Sequence, residues 1–304
     1  VKQLARLLRK DKVYSLTLQE LSMKFSILPI ALAGASLLAS SAVLAQAAPA
    51  AASPHTVTGN LGFVTDYRFR GISQTFKQAA VQGGVDYSHS SGFYLGTWGS
   101  NVSGLQFNNG SGLELDVYGG YKVPAGPVTL DLGAIYYWYP GAYYNGFGPA
   151  KPKYNNTEVY IGASWGWLSA KYSRTTSDLF GVNRTTYGGA CGVSATGAAL
   201  ICTNPLSSTA GSKGSTYVDL TATVPVASGL NLVAHYGKQT VKNFGQLSYT
   251  DYKVGLTYDA MGFTWGASYI GTNAKEQFYR VLQNVGNPKD VSDKAVVLSV
   301  LKTF

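Results

Sequence analysis

From residue 57 onward the chain repeats one pattern: segments in which apolar and polar residues alternate, joined by connections that are long and short in strict turn. Alternation at period two puts successive side chains on opposite faces, which a β-strand does and a helix does not. The segments fall at 57–71, 79–88, 93–102, 113–122, 128–139, 157–165, 168–173, 216–224, 230–236, 251–259, 263–270 and 295–304. Short links follow every second segment: SSG at 90–92, PAGP at 124–127, GW at 166–167, VASG at 226–229 and AMG at 260–262. The long connections centre near Ser73, Asn108, Gly146, Cys191, Phe244 and Lys275. An even number of strands with short turns at one end and long loops at the other predicts a single all-β, antiparallel up-and-down barrel of the outer-membrane type, both termini at its periplasmic end. A soluble barrel or sandwich yields the same alternation with its apolar face turned inward, but needs no such asymmetry. After residue 45 no apolar run is long enough for a transmembrane helix, which leaves a closed barrel as the only spanning arrangement.

The first segment, VTGNLGFVTDYRFRG, sets the parity. Val57, Gly59, Leu61, Phe63, Thr65, Tyr67 and Phe69 share one face; Thr58, Asn60, Gly62, Asp66, Arg68 and Arg70 share the other. Read as one strand it runs for roughly 40 Å, enough to cross a bilayer at a tilt. The same reading elsewhere assigns Asp86, Glu114, Asp116, Asp131 and Glu158 to the lumen together with Asp66, Arg68 and Arg70. Lys171, Asp219, His235, Asp251 and Lys253 complete the lumen candidates. Segment 93–102 has no clear parity, because Leu95 and Trp98 point opposite ways. Tyr136, Tyr137, Trp138 and Tyr139 at one end of the wall and Trp165 and Trp167 at the other suit the aromatic girdles of the two interfaces; ordinary core packing is the alternative.

Met23 and Lys24 precede an uncharged run, 25–45, that ends in VLA before Gln46. This is the grammar of a cleaved signal peptide at 23–45, although the run is also long enough for an uncleaved anchor. Residues 1–22, upstream of a good start at Met23, are expected to lie outside the fold, and 46–56 form a linker before the barrel at 57–304. Of 24 bases and 15 acids, six and two fall in residues 1–45, so the remaining 18 and 13 leave the body at +5. No Lys/Arg stripe runs along it, which argues against a nucleic-acid partner. Counted by segment, the wall holds nine acids, Asp259 among them, against six bases, including Lys122 and Lys302, for a net of −3. The connections are then +8. Basic loops suit lipopolysaccharide phosphates, and a carboxylate-lined lumen favours cations, here around Glu114 and Asp116.

Cys191 and Cys202 lie in the longest connection of an exported chain, where a disulfide is the expected state and would contribute about 3 kcal/mol in the chain-entropy model. Loop histidines for a metal pair are lacking. The three histidines, His55, His89 and His235, show no spacing to a nucleophile elbow, so catalytic, metal and cofactor-binding residues are assigned to none. Val296, Leu298, Val300 and Phe304 share a face at the C-terminus, which resembles the assembly signal read by the barrel-assembly machinery; Lys302 departs from it and can snorkel.

The blocks GNLGFVTDYRFRGISQT, AVQGGVDYSHSSGFYLGTWGSNV, ELDVYGGYK, YYWYPG, NNTEVYIGASWG, DYKVGLTYD and the final LKTF resemble, in order and spacing, the TorF family of porins. The resemblance spans residues 57–304; the leader is not covered, and the loop of Cys191 and Cys202 is longer than the family's usual connection. It implies an outer-membrane barrel of a Gram-negative bacterium with passive passage of small hydrophilic solutes, and no catalytic residues. Two rivals stand beside that expectation: a barrel blocked by its own loops that serves as surface receptor or adhesin, and a membrane hydrolase relying on His235.

Overall fold

A computed structural model describes residues 53–107, 111–144, 151–187, 190–193, 196, 199–201, 211–284 and 287–304. The leader at 1–45, the loop centres Asn108 and Gly146, and Cys202 lie outside the described residues.

Twelve antiparallel strands close into one barrel. In chain order they are β1 (His55–Val64), β2 (Ala80–His89), β3 (Phe93–Asn101), β4 (Leu113–Ala125), β5 (Val128–Trp138) and β6 (Asn156–Trp165). They continue as β7 (Leu168–Thr175), β8 (Thr216–Ala227), β9 (Leu230–Thr240), β10 (Tyr249–Ala260), β11 (Phe263–Thr272) and β12 (Ala295–Thr303). Each pairs with its chain neighbours, and β1 closes the ring on β12 with Gly62 opposite Leu301. Closure leaves no unpaired edge, the condition for strands in hydrocarbon. Strands of 8 to 13 residues bracket the length a tilted crossing needs.

Val57, Leu61, Val85, Leu132, Ile161 and Leu298 face outward and are exposed. Their partners by parity, Gln82, Ser100, Glu114, Asn156, Ser173 and Gln239, face inward and are buried. A soluble barrel would reverse this distribution. The apolar outer surface is the face a transmembrane barrel presents to lipid. Among the described residues no helix is long and apolar enough to cross a membrane, so the strands do the crossing. The short links all fall at one end; the tightest, Gly166–Trp167, turns on Gly166 at φ 56°, where a side chain would be strained. Trp165 and Trp167 stand exposed beside it. At the same end Lys302 bends back, its ammonium donating to the Gly262 carbonyl at 2.9 Å over the Phe263 ring.

Two sequence expectations need correction, and one open parity is settled. The first strand stops at Val64, not Gly71, so Asp66, Arg68 and Arg70 leave the wall. The reason is local: Asp66 accepts from Arg68 Nε at 2.7 Å and from Ser73 Oγ at 2.6 Å, folding the polar half of the segment onto itself. Tyr137 and Tyr139 point into the barrel rather than into a girdle, whereas Tyr136 and Trp138 are exposed as expected. The undecided third strand resolves with Leu95 outward and Trp98 buried inside.

Candidate functional site

The segment that leaves the wall after β1 becomes a hairpin inside the barrel. Arg68–Phe69 pairs with Ile72–Ser73, and the two-residue tip, Arg70 and Gly71, has φ of 49° and 80°. Positive φ at both tip positions is the tight hairpin geometry whose twist matches its strands. Only glycine fits at 71, since a β-carbon there would lie 2.5 Å from the Thr272 side chain and 2.8 Å from that of Asp251. The tip therefore sits flush against the inner wall.

Arg70 fixes it there. Its guanidinium donates to Glu158 Oε2 on β6 at 2.6 Å and to Gln239 Oε1 on β9 at 2.8 Å. It also lies 4.1 Å from the centre of the Tyr217 ring on β8 and 4.7 Å from that of Phe69, close enough for cation–π attraction. Burial opposes its charge, but the Glu158 carboxylate outweighs that and holds the guanidinium pKa above its ordinary value. Arg68 anchors the base of the hairpin, donating to the Gly71 carbonyl at 3.1 Å and to Asp293 of the β11–β12 connection. Lys77 pairs with the same aspartate.

Aromatic rings complete this layer. Tyr67 meets Trp98 edge-on at 5.4 Å, Phe69 meets Tyr137 at 5.4 Å, and Phe180, carried in by the β7–β8 connection, meets Phe69 at 5.7 Å and Tyr137 at 5.5 Å. Phe107 stacks on Tyr139 at 4.6 Å. The loop-side half of the lumen is thus filled by side chains and sealed by residues from three connections.

Glu114 and Asp116 lie in this sealed layer at 0% and 2% exposure. Both carboxylate oxygens of Glu114 and Oδ1 of Asp116 lack a hydrogen bond of ordinary geometry among the described residues. The Tyr67 and Tyr139 phenols approach Glu114; burial first, and the Glu114 charge second, push both phenols up. Glu158, by contrast, is satisfied by Arg70 and by Asn156 at 3.0 Å.

The rest of the lumen is polar and differently built. Asp131 accepts from Tyr94 at 2.7 Å, which meets the Tyr160 hydroxyl at 2.5 Å, while Tyr118 donates to Asp86 at 2.6 Å. Lys122 and Lys171 lie over the Tyr94 and Tyr160 rings. His235 lies between Asp219 at 3.4 Å and Asp251 at 3.0 Å, with Tyr217 and Thr221 also in reach. These partners bind and orient the imidazole, the hydroxyls in reach being those of Tyr217 and Thr221. Lys253 faces inward on the neighbouring strand, opposite His235. By parity eight wall acids face the lumen, against Lys122, Lys171 and Lys253, and the Arg70 tip offsets part of that excess.

Cys191 falls in a short strand of the β7–β8 connection, Ala190–Val193, which pairs with Ala199–Ile201. Its expected partner, Cys202, is outside the described residues. Phe304 closes the seam, exchanging main-chain bonds with Gly59 at 2.8 and 3.2 Å. Among the described residues no group of three or more His, Cys, Asp or Glu could hold a metal ion.

The class is clear from the fold: a twelve-stranded β-barrel of the bacterial outer-membrane kind, with a hairpin and aromatic side chains in its lumen. The chain belongs to the family described as "Bacterial protein of unknown function (Gcw_chp)", whose model matches residues 48–304. No curated protein matches the sequence. Among solved structures it is similar to the NanC porin, at 10% identity and a TM-score of 0.43, covering 82% of this chain and 98% of that one. It is also similar to OmpF of Salmonella typhi, at 9% identity and 0.35, with 82% and 97% covered, and to OprD of Pseudomonas aeruginosa, at 11% and 0.35, with 83% and 66% covered. These likenesses concern barrel architecture.

Proposed function

We propose that this protein is an outer-membrane channel for small hydrophilic solutes whose lumen is constricted by the β1–β2 hairpin. The observation that carries the reading is the contrast between the lining and its obstruction. A barrel that served only as a scaffold could fill its interior with apolar side chains, yet the inward faces carry eight carboxylates, three lysines and a row of hydroxyls. The obstruction is a short hairpin tied to the far wall through the buried Arg70–Glu158 pair and packed with rings from the β3–β4 and β7–β8 connections. Displacing it would hydrate Glu114, Asp116 and Glu158, a carboxylate ring that favours cations. The resemblance to the TorF porins supports the same reading. The signal grammar at 23–45 and the C-terminal Phe304 support export and insertion by the barrel-assembly machinery, and the basic loops support contact with lipopolysaccharide.

The filled loop-side lumen favours one second reading, a permanently plugged barrel that acts as a surface receptor. Conductance across planar bilayers separates the two. Discrete steps from purified protein, enlarged by loosening the hairpin, support the channel; silence from wild type and hairpin variants alike supports the plug.

A further inference from the structure

The outer wall carries a feature that solute passage does not use. Arg174 near the end of β7, Lys213 just before β8 and Lys242 just after β9 are all exposed and line a groove of about 590 Å³ at the loop end of the barrel. They converge on Gly214: a β-carbon there would lie 3.4 Å from the Lys242 side chain and 3.5 Å from the Arg174 guanidinium. The backbone beneath is fixed, with the Gly214 amide donating to the Thr175 carbonyl at 3.1 Å and the Lys242 amide to Ser215 Oγ at 3.0 Å. Among the described residues none of the three cations is in an ion pair. The whole 176–215 connection contains one acid, Asp178. Its two oxygens are taken by the Lys213 amide at 3.0 Å and by Asn183 at 3.3 Å. Asp178 also lines the groove, so three cations share one carboxylate, and the excess positive charge favours an anion seated among them.

Register places the groove at a definite depth. Arg174, Thr216 and Thr240 form one outward row across β7, β8 and β9. The next row toward the turns is Tyr172, Val218 and Lys238, and the one after it is Ala170, Leu220 and Tyr236, whose large side chains are exposed. The cations therefore ride directly on the upper edge of the apolar belt, where lipid headgroups of the outer leaflet lie.

We propose that Arg174, Lys213 and Lys242 clamp a phosphate of the phosphorylated glycolipid that surrounds the barrel, its acyl chains running down over Tyr172 and Leu220. The inference rests on the barrel spanning the outer membrane. The guanidinium offers a two-pronged contact and the ammonium groups supply point charges.

The test uses the folded, full barrel in detergent, with binding of diphosphorylated lipid A measured by native mass spectrometry. Wild type should retain it, and Arg174→Ala/Lys242→Ala should bind about tenfold or more weakly, while Lys275→Ala/Lys294→Ala, which removes equal charge elsewhere, should bind like wild type. Lipid A stripped of its phosphates should bind wild type no better than the double variant binds the intact lipid. Equal binding by the double variant, or by the stripped lipid, would overturn the proposal. Competition by inorganic phosphate at concentrations matched to the lipid would also overturn it, marking a free-anion site. Heat-dependent gel mobility and insertion into phospholipid vesicles are read separately: failure there removes the membrane reading itself, whereas normal insertion without lipid A binding removes only this site.

Discussion

Arg70→Ala is the perturbation on which the constriction turns. Losing the guanidinium leaves the Glu158 carboxylate, at 1% side-chain exposure, with Asn156 as its remaining hydrogen-bond partner among the described residues. Breaking a buried pair by removing one partner costs about 3–5 kcal/mol. The twelve-strand ladder does not depend on Arg70, so the cost falls on the docked position of the hairpin. At about 1.4 kcal/mol per tenfold, the ratio of docked to displaced hairpin should fall by roughly two to three and a half powers of ten. In planar bilayers the variant should show larger or far more frequent open steps than wild type, and limited proteolysis should cut near residues 66–76. Adding Glu158→Gln removes the stranded charge, so the double variant should regain part of the closed behaviour, a non-additive result expected for groups in contact. Wild-type conductance together with wild-type protease protection in Arg70→Ala would refute the reasoning.

Three further outcomes follow from the same structure. With the hairpin loosened by Arg70→Ala, reversal potentials under a salt gradient should show cation preference, and Glu114→Gln/Asp116→Asn should reduce it; anion selectivity, or no change, would place control in the loops. Non-reducing peptide mapping should find Cys191 linked to Cys202, and replacing both should leave the barrel intact because both belong to a connection and not to a wall strand; free thiols in protein taken from the cell envelope would contradict this. Deleting Phe304 removes the last rung of the β12–β1 seam, so folded protein in the membrane should fall while the conductance of surviving barrels stays unchanged; normal folded levels would count against an assembly role.

Most of the wall was legible in the sequence because period-two alternation and turn chemistry are local. Where outward and inward residues differ sharply, as Leu113, Val117 and Tyr121 do from Glu114 and Asp116, parity alone placed both faces. The hairpin was not legible, for a physical reason. Asp66, Arg68 and Arg70 continue the alternation of β1, and nothing local distinguishes a strand that goes on up the wall from one that breaks and turns inward. The one available signal was Arg70-Gly71 as a two-residue turn between short pairs, and it competes with a plain strand end. The aromatic residues failed in the same way. Tyr136 to Tyr139 read as one girdle, yet alternation sends Tyr137 and Tyr139 inside, where they pack against side chains from distant connections. Contacts that join residue 70 to residues 158 and 239 are tertiary and leave no trace in local pattern.

Replacing the inward hairpin, residues 66–76, by a short Gly-Ser linker and comparing single-channel conductance with wild type in planar bilayers tests the central claim most directly. A barrel that is a channel constricted from within should give small or infrequent steps as wild type and large, stable, ohmic steps without the hairpin, with both proteins showing the same heat-dependent gel mobility. Folded, inserted barrels that conduct no ions in either form would contradict it.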